Sequence, residues 1–549
     1  MIRMRKRVPF SDSRSPELIR RKRRVRRARN LLLLIIFLGM FALGFNRVVA
    51  YEDGIHRSTF TIQGTIPVPV LEMRPASGET ALVAIIAHGF SGSKDLMTGF
   101  GVELARAGIT TYLFDFPGHG ESPVPLANNI FSGQTAQDNI NTVGEVVNYV
   151  RMHNSATNHP NIILLGHSMG SAAVGDYSMA HPDSDIVSTI LVSPVGQEQP
   201  TLTQPKNLLM LAGQNDIPFT IENSARLLQL GCGFSQSQKL PAECGKPSDE
   251  TGRRAVILAG LNHITILNAS STFEEMLNWL QRAYPQTVDT GHMQSNIRLF
   301  WLLLGVVGVL LAMFPLSSLT LDLFDLYGTP RPFRGQDVVF FDLCAIVGIA
   351  VAIAIQYAWR PFGFIHVLLV DYISGYFFFI AVVLALLVYI VRGMAPIPYF
   401  RQPMKQILLG VLLWFFLYIT LGQLVTFAWQ RITFTLPRLW RFVMIFILIW
   451  PLFLLDEGIN RGYQEQGMIR AIAASLAFKL LLILGLLVAI LITPGLGFLS
   501  IILPVLVLIF LLLAAFGTQI YASGRAAITT ATLSTLVLAW CMSTTLPIS

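Results

Sequence analysis

The hydrophobic pattern divides the chain into three parts. Residues 31–45 carry no charge, and this apolar stretch extends to residue 50 if Arg47 reaches the lipid headgroups, which predicts a helix just long enough to span a bilayer. Residues 51–290 contain short apolar runs separated by amphipathic stretches and Gly or Pro, a pattern typical of strands and helices alternating around a mostly parallel sheet. From residue 297, apolar segments of membrane-spanning length recur.

We predict eight strands in the middle part and eight further spans in the last part. The strands are placed at 58–63, 68–74, 82–87, 110–115, 162–165, 186–192, 208–212 and 255–259, with helices between them. The spans are placed at 297–317, 338–358, 364–391, 406–428, 439–455, 471–492, 498–521 and 526–546. Segment 439–455 contains Arg441 and ends at Asp456 and Glu457, so a re-entrant segment remains an alternative there. The expected fold is an α/β domain of residues 51–290 joined to an all-α membrane domain of residues 297–549.

Composition supports a membrane protein and argues against a nucleic-acid partner. Of the 549 residues, 53% are hydrophobic and only 13% are charged. The net charge of +8 is concentrated at the start, because residues 1–30 hold thirteen Lys and Arg and two acids, which leaves a net charge of −3 for the remainder. A basic face on a folded domain is therefore excluded. We expect residues 1–30 to form a cytoplasmic tail without a fixed fold until it meets a surface.

The basic tail also predicts an orientation. Because Lys and Arg stay on the cytoplasmic side, residues 31–50 would anchor the chain in the cell membrane with residues 51–290 outside the cytoplasm. A cleaved signal peptide is the alternative interpretation of residues 1–50, and it exports the same domain. With nine spans, the inner loops would hold eight Lys and Arg and the outer loops four, which supports this orientation.

One serine stands in a pattern that indicates nucleophilic catalysis. The sequence Gly166-His167-Ser168-Met169-Gly170 follows a buried strand and opens a helix. At such a turn the serine is exposed in a strained conformation, and the glycines remove side chains that would collide with the neighbouring strand and helix. The helix N-terminus directs free N–H groups to the place where negative charge develops during acyl transfer. We therefore predict that Ser168 is a nucleophile.

A serine nucleophile needs a base and an acid that orients the base, and in such a fold both follow later in the chain. His263 comes after the strand at 255–259 across a short turn, whereas His292 has no strand before it. Of the nine acids between Ser168 and His263, Asp216 is the one that directly follows a buried strand. Each of the two residues alone would more often be a solvated turn residue or helix cap, but their order after the serine reverses this, and we predict Asp216 as the partner of His263.

The oxyanion of an acyl-transfer intermediate needs backbone donors. One is the N–H of Met169, at the start of the helix after the serine. A second is expected from the Gly-rich stretch His88-Gly89-Phe90 after the strand at 82–87, and the N–H of Phe90 is the candidate.

Together these motifs resemble those of α/β-hydrolases of the lysophospholipase, esterase and serine-aminopeptidase type, over residues 55–285. The family also has a turn of the form found here at Asp115–Ser122, which shapes the fold and takes no part in the chemistry. The resemblance implies an α/β-hydrolase fold and assigns the nucleophile, the base, the orienting acid and two oxyanion donors to Ser168, His263, Asp216, Phe90 and Met169.

Two further features concern the pocket and the stability of this domain. Many members of the family insert a long helical lid after the sixth strand, but here only about fourteen residues separate Ser193 from Asn207. The pocket is therefore open, or roofed by residues 219–247 or by the membrane face. Cys232 and Cys244 lie in a Gly-, Ser- and Pro-rich stretch, and an oxidising compartment would let them form a disulfide worth about 3 kcal/mol, with free thiols as the alternative.

These observations predict a membrane-anchored serine hydrolase that cleaves an ester or amide through an acyl-enzyme. The substrate would be a small molecule, a lipid or a peptide. The alternative is a transporter or sensor in which the hydrolase-like domain binds a ligand without cleaving it, and Asp371 is the span residue that would best support it. The histidines show no metal-ligand spacing, so we expect neither a metal nor a cofactor.

Overall fold

A nine-stranded sheet forms the centre of residues 51–290, which we call the sheet domain. The computed structural model describes residues 16–127, 132–182, 185–291, 297–326, 335–392, 402–463 and 467–549, so His292 lies outside the described residues. The strands are β1 (Ile55–Gln63), β2 (Pro67–Pro75), β3 (Leu82–Ala87), β4 (Thr110–Phe114), β5 (Asn161–His167), β6 (Ile186–Val192), β7 (Leu208–Gly213), β8 (Ala242–Cys244) and β9 (Arg253–Leu258). Their order in the sheet is β1-β2-β4-β3-β5-β6-β7-β9-β8. The six central strands, β4, β3, β5, β6, β7 and β9, are parallel, and β1, β2 and β8 are antiparallel to their neighbours.

The predicted α/β architecture is confirmed, with one strand more than the eight expected. The additional strand, β8, has three residues and pairs antiparallel with the start of β9 at the edge of the sheet. A segment this short cannot show the alternation of polar and apolar residues by which strands are recognised.

Helices cover both faces of the sheet. They are α2 (Thr98–Arg106), α3 (Gly133–His153), α4 (Met169–Ala180), α5 (Pro218–Cys232) and α6 (Ser270–Ala283). Strand β3 is buried at all six positions, because Leu82, Ala84 and Ile86 pack with α2 and α6 while the alternate residues pack with α3, α4 and α5. This two-sided burial explains why the strand is continuously apolar. It also brings the carboxyl ends of the parallel strands to one edge, where the predicted site residues lie.

The chain enters the sheet domain from one long helix, α1 (Pro16–Ala50). The prediction of a tail without a fixed fold is wrong for residues 16–30, which continue the apolar helix; Arg and Lys are good helix formers, and a helix that has already begun extends at little cost. Arg26 and Arg27 pair with Asp322, and the guanidinium of Arg47 lies over the ring of Trp301.

The remaining helices form what we call the helical domain, residues 297–549. They are α7 (Arg298–Leu323), α8 (Gly335–Ala358), α9 (Val370–Arg392), α10 (Pro403–Leu417), α11 (Gln423–Ala428), α12 (Leu436–Gly462), α13 (Met468–Ile492), α14 (Leu499–Gly524) and α15 (Ala527–Thr545). Helices α10 and α11 join through a wider turn into one element. Counting α1, nine helices of the described residues are long and apolar enough to cross a membrane. Helix α15 is almost wholly buried, so it lies at the centre of the bundle.

The sheet domain contacts several connections of the helical domain. These contacts include residue 298 at the start of α7 and residues 430, 498 and 548, which lie between or after other helices. Gln430 and Phe498 both contact the loop after β3. Helix α12 is continuous over Leu436–Gly462, and the span at 439–455 stays a prediction.

A cluster of charges lies inside the helical domain on α12 and α13. Lys479 Nζ lies 2.7 Å from Asp456 Oδ2, and Arg461 Nε lies 2.6 Å from Glu457 Oε2. All four side chains are buried, and Lys479 stands near the middle of its helix rather than near an end. Asp371 instead lies in the first turn of α9, where a carboxylate interacts favourably with the helix dipole.

Candidate active site

Ser168 lies at the sharp turn between β5 and α4, and its backbone is strained. Its φ of 52° and ψ of −119° fall in a region that costs a residue with a side chain about 1–3 kcal/mol. A Cβ on Gly166 would lie 2.2 Å from the carbonyl oxygen of Gly170, and a Cβ on Gly170 would lie 2.6 Å from the carbonyl oxygens of Ala87 and His88. The tight turn from β5 into α4 therefore requires Gly166, and the packing of α4 against the end of β3 requires Gly170. Together the two contacts hold the serine in this conformation.

Three side chains named from the sequence form one hydrogen-bonded array, which we call the triad. Ser168 Oγ lies 3.0 Å from His263 Nε2, and His263 Nδ1 lies 2.7 Å from Asp216 Oδ1. The imidazole is 21% exposed, whereas the carboxylate is fully buried. Because a carboxylate only accepts, Nδ1 carries the proton, and Nε2 is left to accept from the serine hydroxyl.

Two further groups hold the acid of the triad. Ser193 Oγ donates to Asp216 Oδ2 at 2.5 Å, and the backbone N–H of Ile217 donates to Oδ1 at 2.7 Å. Burial by itself raises the pKa of Asp216, but the hydrogen bonds from His263 and Ser193 outweigh burial and lower the pKa to about 2. The carboxylate is therefore ionised at neutral pH. Sequence reasoning assigned no role to Ser193, which directly follows β6 and carries no motif.

His167, the residue before the serine, connects two loops of the site. Its Nε2 lies 3.0 Å from the backbone carbonyl oxygen of His263, so Nε2 carries the proton and donates. Burial lowers the pKa of His167 to about 3, which keeps the ring neutral. The ring thus fixes the loop that carries the base against the turn that carries the serine. Sequence reasoning missed this role, since any buried residue fits that position of the motif.

The loop after β3 passes directly beside the serine. A Cβ on Gly89 would lie 3.1 Å from Ser168 Cβ and 2.8 Å from His167 Nδ1, which places the backbone leading to Phe90 against Ser168. Met169 is the first residue of α4, and the first N–H groups of a helix have no partner within it. The two amides named as oxyanion donors therefore both lie next to Ser168, and their catalytic role stays a prediction.

A buried ion pair ties this loop to the turn after β4. Lys94 Nζ lies 2.6 Å from a carboxylate oxygen of Asp115 and 2.6 Å from one of Glu121. Burial raises the pKa of Asp115, but the charge of Lys94 outweighs it and holds the pKa below its usual value. His88 Nε2 accepts a hydrogen bond from the backbone N–H of Phe116. This turn therefore shapes the neighbourhood of the site, as the resemblance implied.

The helical domain binds the same turn through Arg438, at the start of α12. Its guanidinium donates to the carbonyl oxygens of Gly118 and Gly120 at 3.1 and 3.3 Å, and to those of Ser543 and Leu546 at 2.8 and 2.9 Å. The backbone N–H of Ile548 also donates to Gly118 O. The end of α15 is thereby attached to the turn after β4.

The loop after β3 is held from the same side. Arg431 lies 3.1 Å from Asp95 and 2.8 Å from Glu121, and Gln430 donates to the carbonyl oxygen of Ser91 at 2.9 Å. These contacts join residues more than three hundred positions apart, so no local sequence pattern could reveal them.

Cys232 and Cys244, the two cysteines predicted to pair, form a disulfide that joins the end of α5 to β8. Among the described residues, no group of three or more His, Cys, Asp or Glu side chains could hold a metal ion.

The fold and the site together define an α/β-hydrolase domain, joined here to a bundle of apolar helices of the kind that forms a membrane domain. Residues 78–219 match the family model described as serine aminopeptidase, S33, so the domain is of hydrolase type. The match includes Ser168 and Asp216 and ends before His263. No curated protein matches the chain.

Three solved structures illustrate the similarity of the sheet domain. A predicted CIB-like hydrolase of Thermoplasma acidophilum is 17% identical, with 42% of this chain and 99% of that chain covered and a TM-score of 0.32. An alpha-beta serine hydrolase homologue of Coxiella burnetii is 19% identical, with 42% and 97% covered and a TM-score of 0.30. An esterase of Pyrococcus furiosus is 13% identical, with 42% and 95% covered and a TM-score of 0.32.

Proposed function

We propose that the chain is a membrane-anchored serine hydrolase that cleaves an ester or amide through an acyl-enzyme on Ser168. The observation that carries the proposal is the triad: the hydroxyl of a strained, half-buried serine within hydrogen-bond distance of an imidazole whose other nitrogen donates to a buried carboxylate. This is the arrangement that nucleophilic catalysis by serine requires. The match of residues 78–219 to a hydrolase family supports it.

The proposed reaction has two halves. In the first, Ser168 Oγ attacks the substrate carbonyl carbon while its proton passes to His263 Nε2, and the negative oxygen is stabilised by the N–H groups of Phe90 and Met169. His263 then returns the proton to the leaving alcohol or amine as its bond to the carbonyl breaks. In the second half a water gives a proton to His263 and attacks the acyl-serine, which releases the acid and restores the hydroxyl. Asp216 stays ionised and stabilises the imidazolium.

The proposal includes a position in the membrane. The nine apolar helices support membrane insertion, and the basic end of α1 supports a cytoplasmic N-terminus with the sheet domain outside. Helix α1 packs closely against α7, since a Cβ on Gly44 would lie 2.6 Å from the backbone of Gly305, and this contact supports a retained anchor rather than a cleaved signal peptide. Protease added to intact cells should digest the sheet domain, whereas protection in intact cells would reverse the orientation.

A fluorophosphonate probe tests the chemistry, because it reacts with activated serine hydroxyls. We expect labelling of the full-length protein and loss of labelling in Ser168→Ala. The matched control is Ser178→Ala on the same helix, whose hydroxyl donates only to Gly175 O in α4, and it should label like the wild type. Equal labelling of the wild type and Ser168→Ala would remove the proposal.

The alternative of a transporter or sensor depends on charges in the helical domain. Asp456, Glu457, Arg461 and Lys479 are buried there, and buried charges in spans often mark a transport path. Each of them is paired within the cluster, an arrangement that also stabilises helix packing. Loss of cellular function in Asp371→Asn but not in Ser168→Ala would favour the alternative.

A further inference from the structure

The helical domain places a side chain beside the candidate site. The connection from β6 to β7 is short and contributes no helix, so the sheet domain has no lid of its own there. Instead Phe498, in the connection between α13 and α14, packs edge-on against Phe90, with ring centroids 4.3 Å apart. Phe90 carries one of the two proposed oxyanion donors. The ring of Phe498, in the helical domain, therefore contacts the side chain of the residue whose N–H is proposed to bind the oxyanion.

The two domains are fixed in this arrangement rather than tethered. Arg438 is buried and bonds to both domains at once, and the backbone of Leu126 and Gly118 pairs with Ile548. The site is therefore held at a constant height relative to the apolar helices.

Apolar side chains next to the triad residues in sequence form what we call the apolar rim. Three large apolar side chains close to the triad in sequence are exposed: Ile217 at 49%, Phe219 at 45% and Ile264 at 48%. Ile217 directly follows Asp216, and Ile264 directly follows the base of the triad. Exposed apolar side chains grouped beside a site indicate an apolar ligand or a lipid surface.

From these observations we infer that the substrate is an acyl lipid taken from the bilayer, whose hydrocarbon chain is received between Phe498 and the apolar rim. The inference rests on the proposed function and adds the substrate class and a residue that selects for it. The reaction is hydrolysis of the acyl ester as balanced above, with an alcohol leaving first and a fatty acid second.

The test uses the full-length protein in phospholipid nanodiscs with p-nitrophenyl esters from acetate to palmitate. We expect kcat/KM to rise with chain length in the wild type. In Phe498→Ala the ratio of kcat/KM for palmitate to that for butyrate should fall about tenfold or more, as expected when an apolar contact to the substrate is lost. Phe498→Leu should fall less. The control is Phe364→Ala, an exposed phenylalanine of another connection on the same side of the bundle, which should keep the wild-type ratio.

The possible results separate the inference from the proposed function. Fluorophosphonate labelling of Ser168 together with a preference for acetate, or for aminoacyl amides over all acyl esters, would overturn the inference alone. An unchanged palmitate-to-butyrate ratio in a folded Phe498→Ala, checked by its unfolding temperature, would also overturn it. Absence of labelling would overturn the proposed function and the inference with it.

Discussion

Replacement of Arg438 by methionine should detach the sheet domain from the end of α15 while leaving both folded. Methionine approximates the length of the arginine stem but donates no hydrogen bond. Four carbonyl oxygens lose a donor, and among the described residues only Gly118 O keeps another, the N–H of Ile548. Each buried acceptor without a partner costs about 1–3 kcal/mol. Relaxation and entry of water reduce the sum, so we expect about 3–5 kcal/mol, the range for breaking a buried charged contact.

Hydrogen exchange measures this change directly. The amides of Leu126 and Ile548 are protected by their pairing across the domain contact. A loss of 3 kcal/mol should raise the opening equilibrium there roughly a hundredfold, since each 1.36 kcal/mol is a factor of ten. The matched control is Arg441→Met on the same helix, because Arg441 donates to Ile365 O and Pro437 O and does not reach the sheet domain.

The two variants must differ for the reasoning to stand. Arg438→Met should exchange faster at residues 118–126 and 546–549, whereas Arg441→Met should match the wild type there. Equal exchange in all three proteins would refute the claim that Arg438 holds the domains together.

Three further predictions concern single side chains. Gly89→Ala should slow fluorophosphonate labelling at least about tenfold, because the added methyl group would collide with the turn that carries the serine; Gly133→Ala, which meets nothing within 4 Å, should label normally. Burial raises the pKa of Glu198 to about 8, so the folded protein binds a proton that the unfolded chain releases, and the unfolding free energy should fall as pH rises from about 5 to 8; an unchanged slope in Glu198→Gln would contradict this. Lys479→Met leaves Asp456 buried without its cation and should lower the unfolding free energy by about 3–5 kcal/mol, with partial recovery when Asp456→Asn is added; a thermal unfolding series in detergent decides it.

The parts of the fold that could be predicted from the sequence are those governed by local periodicity. Strand β3 is apolar at every position because both of its faces are covered, and the long apolar helices are set by length and composition. The basic segment before the first span was predicted wrongly, since composition alone does not reveal that an adjoining helix extends into it. The three-residue strand β8 lay below what periodicity can detect.

The residues of the candidate site also fall into those that the sequence pattern identifies and those that it does not. Ser168, Asp216 and His263 were identifiable because each follows a buried strand, and strand ends in a parallel sheet share one edge. Ser193 and His167 hold the triad together but could not be identified, since their partners are set by the folded backbone. The contacts of Arg438 and Phe498 with the sheet domain were equally beyond prediction.

The pairing of Ile548 with Gly118 has a consequence for how the protein is made. Residues near 118 leave the ribosome long before residue 548, so the sheet domain can fold while its attachment surface is still uncovered. Completion of this contact must wait until every later helix has been made. A chain that ends at residue 542 should therefore yield a folded sheet domain in which Gly118 and Leu126 lack their partner Ile548, a defect of biogenesis rather than of folding.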